Sequence, residues 1–227
     1  MTEGKAGNSG ERQRLYFVVA TMLVSLACSV VAAIFELGPL AAWASTLLLA
    51  VAMVVYALVT RDAFFSKLLV FGLVVGVGEL ASDYFGVVTT GTLVYPPVGP
   101  FIWVSPAYMP LAWLVLMVQF ATLADFATQK WGLLKATLGL MVLGSLNIPL
   151  YETLAHRSGF WFYQDTPMLF GTTPWYVILA EMLLSAALPR IVQGVSRGGV
   201  GAAVLLGVVQ AVWILLTGRL AYTLVGR

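Results

Sequence analysis

Carboxyl side chains lie inside apolar stretches of this sequence, where acidic groups are rare. Glu79 and Asp83 are four residues apart, the spacing that places two side chains on one face of a helix. Glu152 and His156 repeat that spacing in a second apolar stretch, and Glu181 lies in a third. Acidic groups in such surroundings are costly and by default mark functional sites. The candidate catalytic residues are therefore Glu79, Asp83, Glu152 and Glu181.

The chemistry open to these groups is proton transfer. An apolar environment favours the neutral form of a carboxylic acid, which can then act as a general acid while a nearby carboxylate acts as the base. Such an acid, set among aromatic faces that stabilise a cation, suits protonation of an alkene or epoxide in an isoprenoid, followed by hydration or ring closure. The alternative is structural: a hydrogen-bonded network between helices or, for Asp83 and His156, polar residues at helix ends.

Aromatic residues are concentrated in segments 86–105 and 156–173, which contain almost no lysine or arginine. This composition is unlike that of a solvated loop and predicts two ordered loops that fold over or into a helical bundle. The alternative is a belt of aromatic side chains at a membrane surface. The candidate substrate-binding residues in and beside these loops are Tyr95, Trp103, Tyr108, Trp113, His156, Trp161, Tyr163, Trp175 and Tyr176.

The elements that position these residues follow from composition. The chain has 227 residues, of which 60% are hydrophobic and only 10% charged, and its mean hydropathy is +0.94, so a water-soluble globule is excluded. Long apolar runs without alternation of period two favour membrane helices over barrel strands. We predict an all-α membrane protein with a disordered tail over 1–14, a single domain over 15–224, and seven spans at 15–35, 39–59, 63–84, 106–126, 131–154, 174–193 and 200–224.

The distribution of basic residues predicts the orientation. With a cytoplasmic N-terminus, nine of the 12 lysine and arginine residues lie on or near the inner side. Cytoplasmic loops carry the excess of these residues. The expected protein is therefore a multi-pass component of the cell (cytoplasmic) membrane, with the N-terminus inside, the C-terminus outside and both aromatic loops outside.

An internal repeat is visible in the polar positions. Segment 79–86 matches segment 152–159 in its glutamate, in a polar residue four positions on and in a glycine seven positions on. Further along, segment 106–113 matches segment 174–181 in its proline and tyrosine. Helices 3–4 and 5–6 are therefore predicted to be two parallel copies of one unit, with a shared site at their interface.

Other kinds of site are disfavoured. One histidine and one cysteine are too few for a histidine- or cysteine-based metal centre, no phosphate-binding or dinucleotide motif is present, and the last helix has no lysine for a retinal Schiff base. We expect no metal, no organic cofactor and no nucleic-acid partner. The expected partners are membrane lipid and an isoprenoid substrate from the bilayer. A small transporter with midplane acids is the rival hypothesis, but acids without a paired lysine or arginine favour an apolar substrate.

Two spaced motifs carry a family resemblance. The first is Glu79-x3-Asp83-x2-Gly86-x3-Thr90-Gly91-x3-Tyr95, and the second is Glu152-x6-Gly159-x-Trp161-x-Tyr163 with Gly171-x2-Pro174. Over about half of the chain, this pattern resembles the integral-membrane acyclic-carotenoid hydratases of the bacterioruberin and myxoxanthophyll pathways. The resemblance implies hydration of an isoprenoid alkene.

Departures from that family concern the substrate more than the class of reaction. Glu152 stands where the family has aspartate, Tyr163 where it has a second tryptophan, and Glu181 where it has an aromatic residue. The length and the buried acids are also similar in architecture to those of small membrane-bound terpene cyclases, which implies cyclisation. Both outcomes stay open at this point.

Overall fold

The computed structural model describes residues 3–227, with side chains from Gly10 onward. All seven helices are long and apolar enough to cross a membrane, which confirms the predicted seven-helix membrane bundle. The helices are α1 (Glu3–Phe35), α2 (Pro39–Thr60), α3 (Ala63–Tyr84), α4 (Met109–Trp131), α5 (Leu133–Ser158), α6 (Trp175–Arg197) and α7 (Val200–Val225).

The N-terminal segment corrects one prediction. Helix α1 begins at Glu3, so the tail expected to be disordered over 1–14 is helical from that residue onward, while positions 1 and 2 lie outside the described residues. The Arg14 guanidinium pairs with the Asp62 carboxylate at 3.0 Å. Asp62 also caps α3, since its Oδ1 accepts a hydrogen bond from the Phe65 backbone N–H at 2.9 Å. The ion pair therefore ties α1 to the start of α3.

Helix α4 lies at the centre of the bundle, in contact with α1, α2, α3, α5 and α6. Helices α3 and α4 form one closely packed pair, and α5 and α6 form another. Helix α7 packs on α3 and α6, while α1 packs on α4 and α5. The site described below is enclosed by these two pairs together with the flanking helices.

Glycines permit the close approach within each pair. A Cβ atom added at Gly76 of α3 would collide with the backbone carbonyl of Pro110 on α4. A Cβ added at Gly144 of α5 would lie 2.9 Å from the backbone oxygen of Glu181 on α6. Membrane helices rely on such small residues because they have no hydrophobic driving force against lipid.

The two long loops form three short antiparallel strand pairs. Strand β1 (Leu93–Val94) of the first loop pairs with β4 (Phe162–Tyr163) of the second. The remaining pairs are hairpins within one loop each: β2 (Phe101–Ile102) with β3 (Ser105–Pro106), and β5 (Met168–Leu169) with β6 (Thr173–Pro174). Because Pro106 belongs to β3, α4 begins at Met109, three residues later than predicted. The loops are thus joined to each other across one end of the bundle.

This pairing predicts resistance to proteolysis. Chymotrypsin, which cleaves after aromatic residues, should leave the bonds after Trp161 and Tyr163 intact in the folded protein, because both residues lie in or next to β4, which pairs with β1. The same bonds should be cut in detergent-denatured protein, which serves as the control. Rapid cleavage at both bonds in the folded state would contradict an ordered loop cap.

Candidate active site

A cavity of about 300 Å³ lies inside the bundle, and residues of all seven helices and of both aromatic loops line it. Its wall is mostly apolar and aromatic. Within the part of the chain whose side chains are described, no lysine, arginine or histidine lines it. The acidic residues that line it are those predicted from the sequence: Glu79, Asp83, Glu152 and Glu181.

Glu79 and Asp83 form a buried carboxyl pair on α3. Each is only 4% exposed, and the two side chains lie on the same face of α3, about one turn apart. The Tyr95 hydroxyl donates a hydrogen bond to Asp83 Oδ1 at 2.9 Å. Glu79 Oε2 and Asp83 Oδ2 are buried and have no hydrogen-bond partner among the described residues. Two carboxyl groups in this position are best satisfied when they share one proton.

Glu152 on α5 is held differently, by donors from the second loop. Trp161 Nε1 donates to Glu152 Oε2 at 2.6 Å, and the Tyr163 hydroxyl donates to Oε1 at 3.4 Å. Trp161 and Tyr163 flank Phe162 on an extended segment, so their side chains point to the same side and that of Phe162 to the other. Two donors on one carboxyl group are the arrangement that suits its ionised form.

The residue that donates to Asp83 and one that donates to Glu152 are in contact with each other. The rings of Tyr95 and Trp161 pack edge to face with centroids 6.4 Å apart. Burial raises the pKa of the Tyr95 phenol well above its ordinary value, and the carboxylates of Asp83 and Glu79 raise it further. Burial and then Glu152 likewise raise the pKa of Tyr163. Both phenols therefore keep their protons and remain hydrogen-bond donors.

Glu181 of α6 lies close enough to Glu152 and Glu79 to interact with both electrostatically. Its position in the structure thus matches the predicted convergence of acids from three helices. Among the described residues, no three histidine, cysteine or acidic side chains are grouped so that they could hold a metal ion. Carboxyl groups placed this close together can exchange protons with one another.

Aromatic side chains make up much of the remaining wall. Tyr108, Trp113 and Tyr176 line the cavity as predicted, together with Tyr95, Trp161 and Tyr163. The hydroxyl groups of Tyr176 and Thr92 are hydrogen bonded at 2.8 Å, which fixes the ring at the start of α6 to the first loop. Ring faces held in this way can stabilise a positive charge inside the cavity.

Three predicted substrate-binding residues lie outside the cavity. His156 is exposed, because the buried face of the last turns of α5 follows positions 152, 155 and 158, a spacing of three. Trp175 is 46% exposed, because the side chain of the adjacent Tyr176 is the one that faces the interior of the bundle. Trp103 is 63% exposed and stacks on Tyr84 with ring centroids 4.4 Å apart. The structure therefore corrects the predicted placement of all three.

The exposed tips of the two hairpins fit the alternative of an aromatic belt. Trp103 in the first hairpin and Phe170 in the second both adopt positive φ, 58° and 55°. Phe170 is 82% exposed. Exposed aromatic rings at one end of a helical bundle are typical of the membrane–water interface. The two hypotheses for the aromatic loops thus apply to different residues: one set lines the cavity and the other faces outward.

Sequence analysis missed several uncharged polar residues at the site. Gln119 of α4 and Asn147 of α5 line the cavity, and Ser105 is buried next to Asp83. A signal was present for Asn147, since it is a polar residue in the same apolar stretch as Glu152. Ser105 had no comparable signal, because its position depends on the β2–β3 hairpin.

Comparison with known proteins gives one match. The family model described as "Domain of unknown function (DUF6989)" matches residues 80–225, from the last turns of α3 to the end of α7. No curated protein and no solved structure matches the chain. The matched segment includes Asp83, Glu152 and Glu181 together with both aromatic loops. Since it spans more than half of the sequence, the chain belongs to the DUF6989 family.

Proposed function

We propose that the protein is a membrane enzyme of isoprenoid metabolism, in which a buried carboxylic acid protonates an alkene or epoxide and hydration or cyclisation follows. The observation that carries this proposal is the convergence of four carboxyl groups on an aromatic, mostly apolar cavity inside the bundle. An anionic substrate would require cationic partners, and none is found among the described lining residues, whereas an isoprenoid matches the mostly apolar wall by burial of apolar surface. The motif resemblance to acyclic-carotenoid hydratases supports the same class of substrate.

The reaction begins at the Glu79–Asp83 pair. Its proton passes to one alkene carbon, the π electrons form the new C–H bond, and the neighbouring carbon becomes a cation. The ring faces of Tyr176 and Trp113 lie on the cavity wall, where they stabilise that charge. No organic cofactor or metal ion is required for this step, since the carboxyl pair supplies the proton.

The cation is then quenched in one of two ways. Water adds through its oxygen and releases a proton, or an internal double bond closes a ring and a proton leaves the adjacent carbon. In either case a carboxylate must accept the released proton. Glu152, held in the form suited to a carboxylate by Trp161 and Tyr163, is the acceptor in this proposal. Proton exchange with the Glu79–Asp83 pair then restores the starting state.

A comparison of isoprenoids tests the function directly. Pigment and terpenoid extracts of the natural host should differ between a strain that has the protein and one that lacks it, by the addition of water or by an isomeric cyclic product. The difference should return with the wild-type protein and not with the Glu79→Gln variant. Identical extracts from both strains would overturn the proposal.

Glu181 should contribute less than the other glutamates. It lines the cavity and interacts with Glu152 and Glu79, but in this proposal it only adjusts the charge around them. Glu181→Gln should therefore lower turnover by less than about 10²-fold, the lower end of the range for general acid–base groups. Steady-state rates of wild type and variant check this, and a loss equal to that of Glu79→Gln would assign Glu181 a direct role in proton transfer.

The repeat and the orientation belong to the same proposal. In each half a hairpin leads into a helix, and a buried tyrosine at the start of that helix lines the cavity: Tyr108 just before α4, and Tyr176 in the first turn of α6. Glu79 and Glu152 occupy matching positions in the preceding helices. These correspondences support two parallel copies of one unit with a shared site.

Topology is checked with reporter fusions. The excess of lysine and arginine on one side supports a cytoplasmic N-terminus, with the loop end of the bundle outside. Fusions after Gly86 and after Gly159 should therefore give the signal of an exported reporter, and a fusion after Arg61 should give that of a cytoplasmic one. A cytoplasmic signal at either glycine would contradict the proposed orientation.

The paired helices also favour a second candidate, a small carrier. Membrane carriers place their binding site between repeated helix units, as the cavity here lies among α3, α4, α5 and α6. A carrier would move its ligand without changing its chemical structure. The same extracts distinguish the two functions: a carrier alters the location of a compound, whereas the proposed enzyme alters its mass or its number of double bonds.

A further inference from the structure

Three buried polar groups beside the cavity are unpaired. Asp83 Oδ2, Ser105 Oγ and the Tyr108 hydroxyl are buried and have no hydrogen-bond partner among the described residues. Ser105 belongs to β3, which contacts α3, and Asp83 of α3 and Tyr108 both line the cavity. The three residues are 4%, 0% and 1% exposed, so bulk solvent does not reach them. Buried polar groups in proteins are almost always paired, because an unpaired one is costly.

We propose that Asp83, Ser105 and Tyr108 together bind one water molecule, and that this water is the nucleophile that adds to the carbocation. A buried water forms about three hydrogen bonds to polar groups that would otherwise be unsatisfied, and three such groups are present here. The role of this water rests on the proposed function, but its binding site rests on the unpaired atoms alone.

The chemistry of the three groups matches water. The Asp83 carboxylate oxygen accepts a hydrogen bond, while a serine hydroxyl both donates and accepts. Burial, and to a lesser degree Asp83, raises the pKa of Tyr108, which keeps this phenol protonated and able to donate. A molecule that fits all three must both donate and accept through a single oxygen. Around Glu152, by contrast, Trp161 and Tyr163 already fill the donor positions.

The water makes hydration the expected outcome. Its oxygen lone pair forms the C–O bond to the cation, one O–H bond breaks, and the released proton passes to a carboxylate of the site. The net change is the addition of one H₂O across one double bond. Tyr108 and Ser105 are positioning residues in this scheme, since they hold the water and transfer no proton to carbon.

Thermal unfolding in lipid nanodiscs tests the binding site without a substrate. Tyr108→Phe and Ser105→Ala should each lower the midpoint of unfolding by about 2–4 °C. The double variant should fall little further, because both residues hold the same water. Tyr16→Phe, at an exposed ring, and Ser145→Ala, at a hydroxyl bonded to its own helix, serve as matched controls. Unchanged midpoints in both single variants would overturn the water site.

The second test uses H₂¹⁸O and the isoprenoid extract of a host strain that lacks the protein. The wild-type product should carry one ¹⁸O atom. Tyr108→Phe and Ser105→Ala should each still form the cation, but the ratio of hydrated product to product formed by proton loss should fall about tenfold in each, which corresponds to about 1.4 kcal/mol. A product protonated at carbon without ¹⁸O, or an unchanged ratio in both variants, would overturn the role of the water while protonation stands. If the extract is not converted at all, the proposed function fails, and the unfolding midpoints alone decide the binding site.

Discussion

Glu79→Gln should lower the rate of isoprenoid conversion by about 10²–10⁴-fold, the usual contribution of a general acid or base. Glutamine keeps the size and hydrogen-bonding capacity of the side chain but has no proton to transfer. Glu152→Gln should lower the rate by a similar factor, because it removes the proposed proton acceptor. The measurement is turnover of the host's isoprenoid extract by purified variants in nanodiscs.

Controls separate chemistry from folding in this experiment. Glu36→Gln changes an exposed glutamate at the end of α1 and should leave the rate unchanged. Circular dichroism and the unfolding midpoint should show that the Glu79 and Glu152 variants remain folded. Rates near wild type in both variants would end the protonation mechanism and favour a carrier. Loss of folding in both would instead identify the acids as part of a structural network.

Gly76→Val should produce the largest loss of stability. The added Cβ would meet the carbonyl oxygen and carbon of Pro110, and these are backbone atoms that cannot move without displacing α4. Overpacking a tight core typically lowers the free energy of unfolding by about 1–3 kcal/mol, and a backbone collision belongs at the upper end of that range. The unfolding midpoint and the yield of folded protein in nanodiscs measure the effect.

Gly139→Val is the matched control, since a Cβ at Gly139 of α5 meets nothing within 4 Å. Both glycines lie in membrane-spanning helices, so the substitution has the same intrinsic effect on the helix. The difference between the two variants isolates the contact between α3 and α4. Equal stability of the two variants would contradict the close packing at Gly76.

Local features of the sequence were enough to predict the helices. Each span follows from a continuous apolar run, and an apolar run of about 20 residues specifies its own helix in lipid. The spacing of four between Glu79 and Asp83 likewise predicted their shared face, because α3 is regular there. The helical N-terminus was missed because the polar composition of that segment is typical of a disordered tail.

Contacts between distant segments could not be predicted. Trp103 and Trp161 are equally aromatic and both lie in long loops, yet only Trp161 faces the cavity. The difference arises from the pairing of β1 with β4, which joins Leu93 to Tyr163 across the bundle. The donors of Glu152 and the position of Ser105 depend on these loop strands in the same way. Two-residue strands leave no periodic pattern in the sequence.

Solvent deuterium incorporation tests the central claim, proton transfer from a carboxylic acid to carbon. The purified protein is incubated in D₂O with the isoprenoid extract of a host strain that lacks it, and the products are analysed by mass spectrometry after return to H₂O. The carboxyl protons exchange with solvent, so protonation should leave one deuterium bound to carbon, which remains after the exchange. A converted product without carbon-bound deuterium would contradict the mechanism. An extract left unchanged by folded wild-type protein would contradict it as well.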